Sequence, residues 1–155
     1  PAGFEGGEPV ASIHVEHASL RGISISGDLV VRMIDEFPAF SVAAACAHGH
    51  SQVADASELR AKESDRIQAL VQELNHVGIQ ATENPDGFSI PGSQTFTGGL
   101  IDAHRDHRLA MSLAVAGLVS RAPVIIADAQ IISESFPDFI PILQNLGARI
   151  EITHD

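Results

Sequence analysis

The sequence predicts a layered α/β (α+β) domain, and three observations predict it. The order helix, strand, helix, strand runs twice along the chain. The string Val53-Ala54-Asp55-Ala56 has a counterpart in Ile126-Ala127-Asp128-Ala129, and Leu74 to Gly78 has one in Leu143 to Gly147. At 155 residues with 45% hydrophobic content, the chain is long enough for one ordinary domain with a real core. A period of roughly seventy residues, met only twice, is too long and too few for a solenoid and signals duplication within one domain. The single domain therefore spans 1–155, with pseudo-repeats at about 36–90 and 106–155.

Each element has its own reason. Val10 to Ala18 alternates as a strand does. A helix from about Glu36 to His48 has Pro38 in its first turn and Gly49 just past its end. Ser51 to Ala56 reads as a short strand. From Ser64, Ile67, Leu70, Val71, Leu74 and Val77 fall at helical spacing until Gly78 stops them. Ile79 to Glu83 and Gly87 to Ile90 form a hairpin around Asn84-Pro85-Asp86, and Gly98-Gly99 reads as a loop. In the second half, Asp106 to Ser120 is a helix rich in small residues, and Val124 to Ala129 is a strand. Ser135 is expected to cap a helix whose apolar face is Phe139, Ile142, Leu143 and Leu146, ended by Gly147. Pro141 lies near that helix's N-terminal end, where a kink is the mild expectation. Arg149 to Thr153 closes as a strand.

The formal charge of −11 argues against a nucleic-acid surface and lends no support to docking on an anionic membrane. Neither a membrane-spanning apolar run nor a leader pattern is present, and the start at Pro1 fits a piece of something longer. The one cysteine, Cys46, excludes an internal disulfide framework and suits a reducing cytoplasm. Its apolar helical setting predicts a small buried hydrophobe rather than a nucleophile.

Function is signalled by where the few cations sit. The only lysine, Lys62, lies in Glu58-Leu59-Arg60-Ala61-Lys62-Glu63-Ser64-Asp65-Arg66, and a second basic knot is Arg105-Asp106-His107-Arg108. Together the two strings hold five of the nine Lys and Arg residues, each interleaved with carboxylates. That pattern suits a site for a small anion with acid/base groups built in. Lys62 and Arg66, four apart at a helix start, can project from one face, with Glu63 beside them. Arg108 opens the matching helix of the second half, next to His107 and Asp106. Two helix N-termini, each carrying an arginine, would clamp one dianion from two sides. Each string alone is an ordinary charged helix end, and Asp35 alone is an ordinary cap for the helix after it. Arg60 reads as structural, and His48 and His50 as solvated. His14, Glu16 and His17 are metal-ligand types, but on a strand His14 and His17 point to opposite faces.

The run Leu59-Arg60-Ala61-Lys62-Glu63-Ser64-Asp65-Arg66, followed by Asp106-His107-Arg108-Leu109-Ala110-Met111-Ser112, closely resembles the 5-enolpyruvylshikimate-3-phosphate synthase family. Met33-Ile34-Asp35-Glu36-Phe37-Pro38 and Ser135-Phe136-Pro137-Asp138-Phe139 match two further stretches in the right order, so the resemblance covers about Gly7 to Ile152. It implies an enolpyruvyl transferase-like fold of repeated βαβαββ units, with helices packed inside and sheets outside. It implies most of the C-terminal domain of a two-domain enzyme whose site lies in the cleft between domains. The implied reaction moves the enolpyruvyl group of phosphoenolpyruvate to the 5-hydroxyl of shikimate 3-phosphate and releases phosphate, in the cytoplasm, with no metal or organic cofactor. By resemblance, Asp35 contacts the shikimate hydroxyls and accepts the attacking proton, and Glu63 handles the proton at the methylene carbon. Lys62 lies between the two substrates, Arg66 and Arg108 bind phosphoenolpyruvate, and His107 supports them.

Two positions depart from part of the family: Glu134 stands where one branch has lysine, and Glu58 where another has asparagine. The resemblance also implies that the N-terminal domain supplies further substrate contacts, so the chain alone is expected to fold, bind weakly and not turn over. Rival readings are a UDP-N-acetylglucosamine enolpyruvyl transferase and a non-catalytic anion-binding module.

Overall fold

A computed structural model describes residues 3–61 and 65–153. The chain opens with the antiparallel hairpin β1 (Gly3–Glu5) and β2 (Glu8–Val10). It continues through β3 (Ser24–Ile25), α1 (Asp28–Arg32), α2 (Phe37–Cys46) and β4 (His50–Val53). A tight helical turn over Ser57–Ala61 precedes α3 (Arg66–His76), which leads to the hairpin β5 (Thr82–Asn84) and β6 (Gly87–Pro91). The second half holds β7 (Gly99–Asp102), α4 (His107–Gly117), β8 (Val124–Ala127), α5 (Ile132–Ser135) and α6 (Phe139–Asn145).

Two sheets carry the architecture. One has the order β3-β4-β6-β5, with β3 parallel to β4 and the other pairs antiparallel. The second is the parallel pair β7-β8. Each parallel pair is thus joined by helix, as a parallel connection requires. Ser51 and Val53 of β4 point inward while His50 and Gln52 face out, and on β7 Ile101 is buried while Leu100 is exposed. The strands therefore keep one outer face, and the helices lie against the inner one. α2 is apolar on nearly every side; it buries Phe37, Pro38, Ser41, Val42, Ala44 and Ala45 and leaves the small residues Ala39, Ala43 and Cys46 exposed. It packs on α4 and on β6, and Phe37 in its first turn meets Phe88 of β6 edge to face at 6.0 Å. One main core runs through Ile25, Phe37, Val53, Leu74, Phe88 and Leu113.

The strings that correspond in sequence take corresponding backbone. Asp55 and Asp128 come just after parallel strands, adopt left-handed φ values of 59° and 53°, and each leads into a tight helical turn. The helices α3 and α6 end alike. In α3 the amide of Gly78 donates to the Asn75 carbonyl and that of Ile79 to Leu74, and in α6 Gly147 donates to Gln144 and Ala148 to Leu143. That paired pattern is the Schellman ending, with a left-handed glycine at its centre (φ 90° and 98°).

Several expectations differ from what is observed. Of the strand expected over Val10 to Ala18, only Val10 lies in one, as the end of β2; Ile13 and Val15 are exposed, and among the described residues no strand lies beside 11–18 to complete a ladder. Residues 149–153 likewise form no strand, and the Ile150 carbonyl accepts from the Gln144 side chain instead. Ser135 ends α5 rather than capping α6, because Pro137 separates the two and Asp138 takes the cap position. Pro141 falls in the first turn of α6, where its missing N–H costs nothing. Gly99 begins a strand, not a loop. Cys46 is exposed, since α2 buries Phe37, Ser41, Val42, Ala44 and Ala45 and leaves the position after them facing out.

Candidate active site

Three helix N-termini meet at one place. Asp35 stands two residues ahead of α2, Arg66 is the first residue of α3, and Asp106 and Arg108 open α4. Arg66 Nε donates to Asp106 Oδ2 at 2.6 Å, and its Nη1 donates to Asp35 Oδ1 at 3.0 Å. Arg108 Nη2 lies 3.1 Å from Asp35 Oδ2. Two arginines and two carboxylates thereby form one alternating chain, Asp106–Arg66–Asp35–Arg108. Asp106 and Arg66 are buried, with side-chain exposures of 1% and 5%, whereas Asp35 and Arg108 keep 41% and 35%. The inner pair is framework; the outer pair faces solvent.

Local sequence explains the placement. Asp106 caps α4, its Oδ1 accepting from the amides of Arg108 at 2.9 Å and Leu109 at 3.3 Å. Its second oxygen is then left to take Arg66. Asp65 caps α3 by accepting from the Gln68 amide at 3.0 Å, so this helix begins at Arg66 rather than Ser64. Asp35 does not cap α2; Glu36 holds that position with no side-chain bond, and Phe37, locked against Phe88, fixes the backbone beside it. The void behind Arg66, bounded by Phe37, Leu59, Leu70 and Leu109, is about 10 Å³, space for one water at most. Among the described residues, the exposed side of this node is the Asp35–Arg108 side.

Arg60 braces the approach. Its Nη1 pairs with Asp65 at 2.7 Å and Glu83 at 2.9 Å, while Nε and Nη2 donate to the carbonyls of Pro85 and Asn84. The hydrogen bond to Asp65, with help from Glu83, raises its pKa above the ordinary arginine value. The structural role read from sequence is thus given content: one guanidinium ties the cap of α3 to the tip of the β5–β6 hairpin.

Of the residues singled out in sequence, Asp35, Arg66 and Arg108 come together. His107 is half-buried, and its ring makes no hydrogen bond among the described residues. Lys62 and Glu63 lie outside the described residues, as does the helical face expected for Lys62 with Arg66. Asp106 stands beside Arg108 in the sequence but carries no role there; its signal, a carboxylate at a helix start, is too common to stand out. His14 and Glu16 form an exposed contact at 2.9 Å, and among the described residues no group of three or more metal-ligand side chains is gathered. Among those residues, too, no helix is long and apolar enough to cross a membrane.

The family model described as EPSP synthase (3-phosphoshikimate 1-carboxyvinyltransferase) matches residues 6–143. The chain belongs to the EPSP synthase family. A 3-phosphoshikimate 1-carboxyvinyltransferase of Synechococcus sp. (strain JA-3-3Ab) is 49% identical over 140 residues, covering 90% of this chain and 32% of the relative. One from Citrifermentans bemidjiense is 47% identical over 145 residues, covering 94% and 34%. An EPSP synthase structure from Acinetobacter baumannii superposes with a TM-score of 0.94 at 41% identity, covering 99% of this chain and 36% of that one. The enolpyruvyl transferase fold expected of the sequence is therefore the fold of this chain. It spans about a third of the length of the EPSP synthase relatives it matches.

Proposed function

We propose that this chain carries part of the site at which phosphoenolpyruvate gives its enolpyruvyl group to the 5-hydroxyl of shikimate 3-phosphate, releasing phosphate in the cytoplasm. The observation that carries the reading is Asp35, a half-exposed carboxylate held between two arginines at the meeting of three helix N-termini. Family membership and the names of the relatives support it further.

The geometry suits that chemistry in a definite way. An ion pair open to solvent contributes little, about 0–1 kcal/mol, so an arriving dianion competes readily with Asp35 for Arg108. The buried Arg66–Asp106 pair does not exchange so easily, because separating it leaves a charge unpaired in the interior. Arg66 thus stays fixed as a preorganised cation while Arg108 changes partner. Asp35, released on one side, can then hold the 5-hydroxyl and take its proton as oxygen bonds to the central carbon of phosphoenolpyruvate. In this reading Glu63 gives a proton to the methylene carbon during addition and takes one back during elimination, when phosphate leaves. Lys62 lies between the substrates, and His107 supports Arg108. The positive ends of α2, α3 and α4 add to the field that holds the anions. The chain is one domain of a duplicated, two-domain enzyme, and the other domain completes the site by closing over it.

The test mixes this chain with a separately made N-terminal domain, adds both substrates and assays phosphate. Phosphate release that needs both polypeptides and both substrates is the expected result. If the mixture and a covalently joined full-length protein both release none, the transferase reading fails and an anion-binding module remains.

A further inference from the structure

Glu73 is an acid that the reaction above does not use. It lies on α3, seven residues after Arg66, close to two helical turns and therefore on the same face. Its residue exposure is 0%, yet three donors reach its carboxylate. His104 Nε2 lies 2.8 Å from Oε1, and His76 Nδ1 and the Asp102 amide lie 3.0 Å and 3.1 Å from Oε2. A carboxylate oxygen accepts from the Asp102 amide, and each ring nitrogen donates in the tautomer that carries its proton there.

Two of those partners, Asp102 and His104, lead directly into the site. His104 and Arg105 are consecutive non-glycine residues in the left-handed region, at φ 49° and 57°. Such a pair persists only where surrounding contacts over-determine it. The turn runs straight into Asp106, which caps α4 and holds Arg66, and then into Arg108. One face of α3 therefore grips both ends of the segment 102–106: Glu73 holds Asp102 and His104, and Arg66 holds Asp106.

We infer that Glu73 is a positioning residue for the anion site: it clamps the strained turn at His104 and Arg105, and so sets where Asp106 and Arg108 stand. This rests on the proposed function for its kinetic readout only. Without the clamp the left-handed pair relaxes, and the start of α4 shifts relative to Arg66 and Asp35. The consequence falls on ligand binding through Arg108 rather than on proton transfer at Asp35.

The test uses a full-length protein carrying this chain, with Glu73→Leu to remove all acceptors at similar volume. Glu73→Gln serves as the milder variant, since one amide oxygen cannot serve three donors. Two readouts are taken: steady-state kinetics, and amide hydrogen exchange over 102–109. The expected result for Glu73→Leu is a KM for phosphoenolpyruvate raised about tenfold with kcat changed less than about threefold, and exchange over 102–109 faster by about tenfold. Adding Arg105→Gly, which takes the strain out of the turn, should return both readouts most of the way to wild type. A folded Glu73→Leu or Glu73→Gln protein with unchanged exchange over 102–109 overturns the inference, whatever its activity. So does loosening that Arg105→Gly fails to reverse, which marks Glu73 as a packing residue alone. A wild-type protein that releases no phosphate overturns the proposed function instead, and the exchange readout still decides the role of Glu73.

Discussion

Asp106 serves two elements with two oxygens, and the arrangement assigns a different consequence to losing each. Oδ1 satisfies two amides at the start of α4, and Oδ2 neutralises a guanidinium whose side chain keeps only 5% of its exposure. Asp106→Ala removes the cap, worth about 1 kcal/mol, and takes from Arg66 its buried carboxylate partner, with the half-exposed Asp35 still in contact. Breaking a buried pair from one side costs about 3–5 kcal/mol, so urea unfolding followed by far-UV circular dichroism should register a loss of that order. Asp106→Asn keeps an oxygen for the cap and should lose distinctly less; equal losses for the two variants would contradict the double role. At this scale the sequence was partly legible. Asp35, Arg66 and Arg108 stood out because rare cations recur at helix starts and because the surrounding strings match a family. Asp106 and Glu73 did not, because each acquires its meaning from a partner about thirty to forty positions away. A carboxylate at a helix start, or in mid-helix, announces neither.

The helix stops at Gly78 and Gly147 were read well from sequence, the starts at Ser64 and Ser135 and the isolated strands poorly, and the reason is physical. A helix bonds within itself, so caps and glycines mark its limits locally: Asp65 and Asp106 open α3 and α4, and Gly78 and Gly147 close α3 and α6. A strand needs a neighbour, which alternation in Val10 to Ala18 or in Arg149 to Thr153 does not supply. The matching error at Gly99 has the same cause: its pairing with Val124 lies twenty-five positions ahead. The left-handed glycine that ends α3 is also closely packed, since a Cβ at Gly78 would run into the Thr97 side chain. Gly78→Ala should therefore destabilise the fold by about 2 kcal/mol or more, combining left-handed strain with the clash. Thermal unfolding checks it. Gly147→Ala carries the same backbone strain with open space around the added methyl, and should cost less. An equal loss at both sites would mean that the packing against Thr97 counts for nothing.

At the scale of the molecule, a chain of net charge −11 is a poor long-range attractor for anionic substrates. Screening shortens that repulsion to about 8 Å at physiological salt, so in the proposed reading binding rests on the local node of arginines and helix N-termini. The fold provides such a node by bringing α2, α3 and α4 end-on to one point, with the sheets outside. What sequence alone could not convey is that the node is stratified, with a buried pair that holds its shape and an outer pair that can change partners. The central claim is that the outer carboxylate, Asp35, takes the proton of the attacking hydroxyl. The most direct measurement is kcat for phosphate release by the full-length protein carrying Asp35→Asn, beside wild type. The account predicts a fall in kcat of about 10²-fold to 10⁴-fold in a folded protein, the usual contribution of a positioned general base. A folded Asp35→Asn protein that turns over as fast as wild type would contradict it.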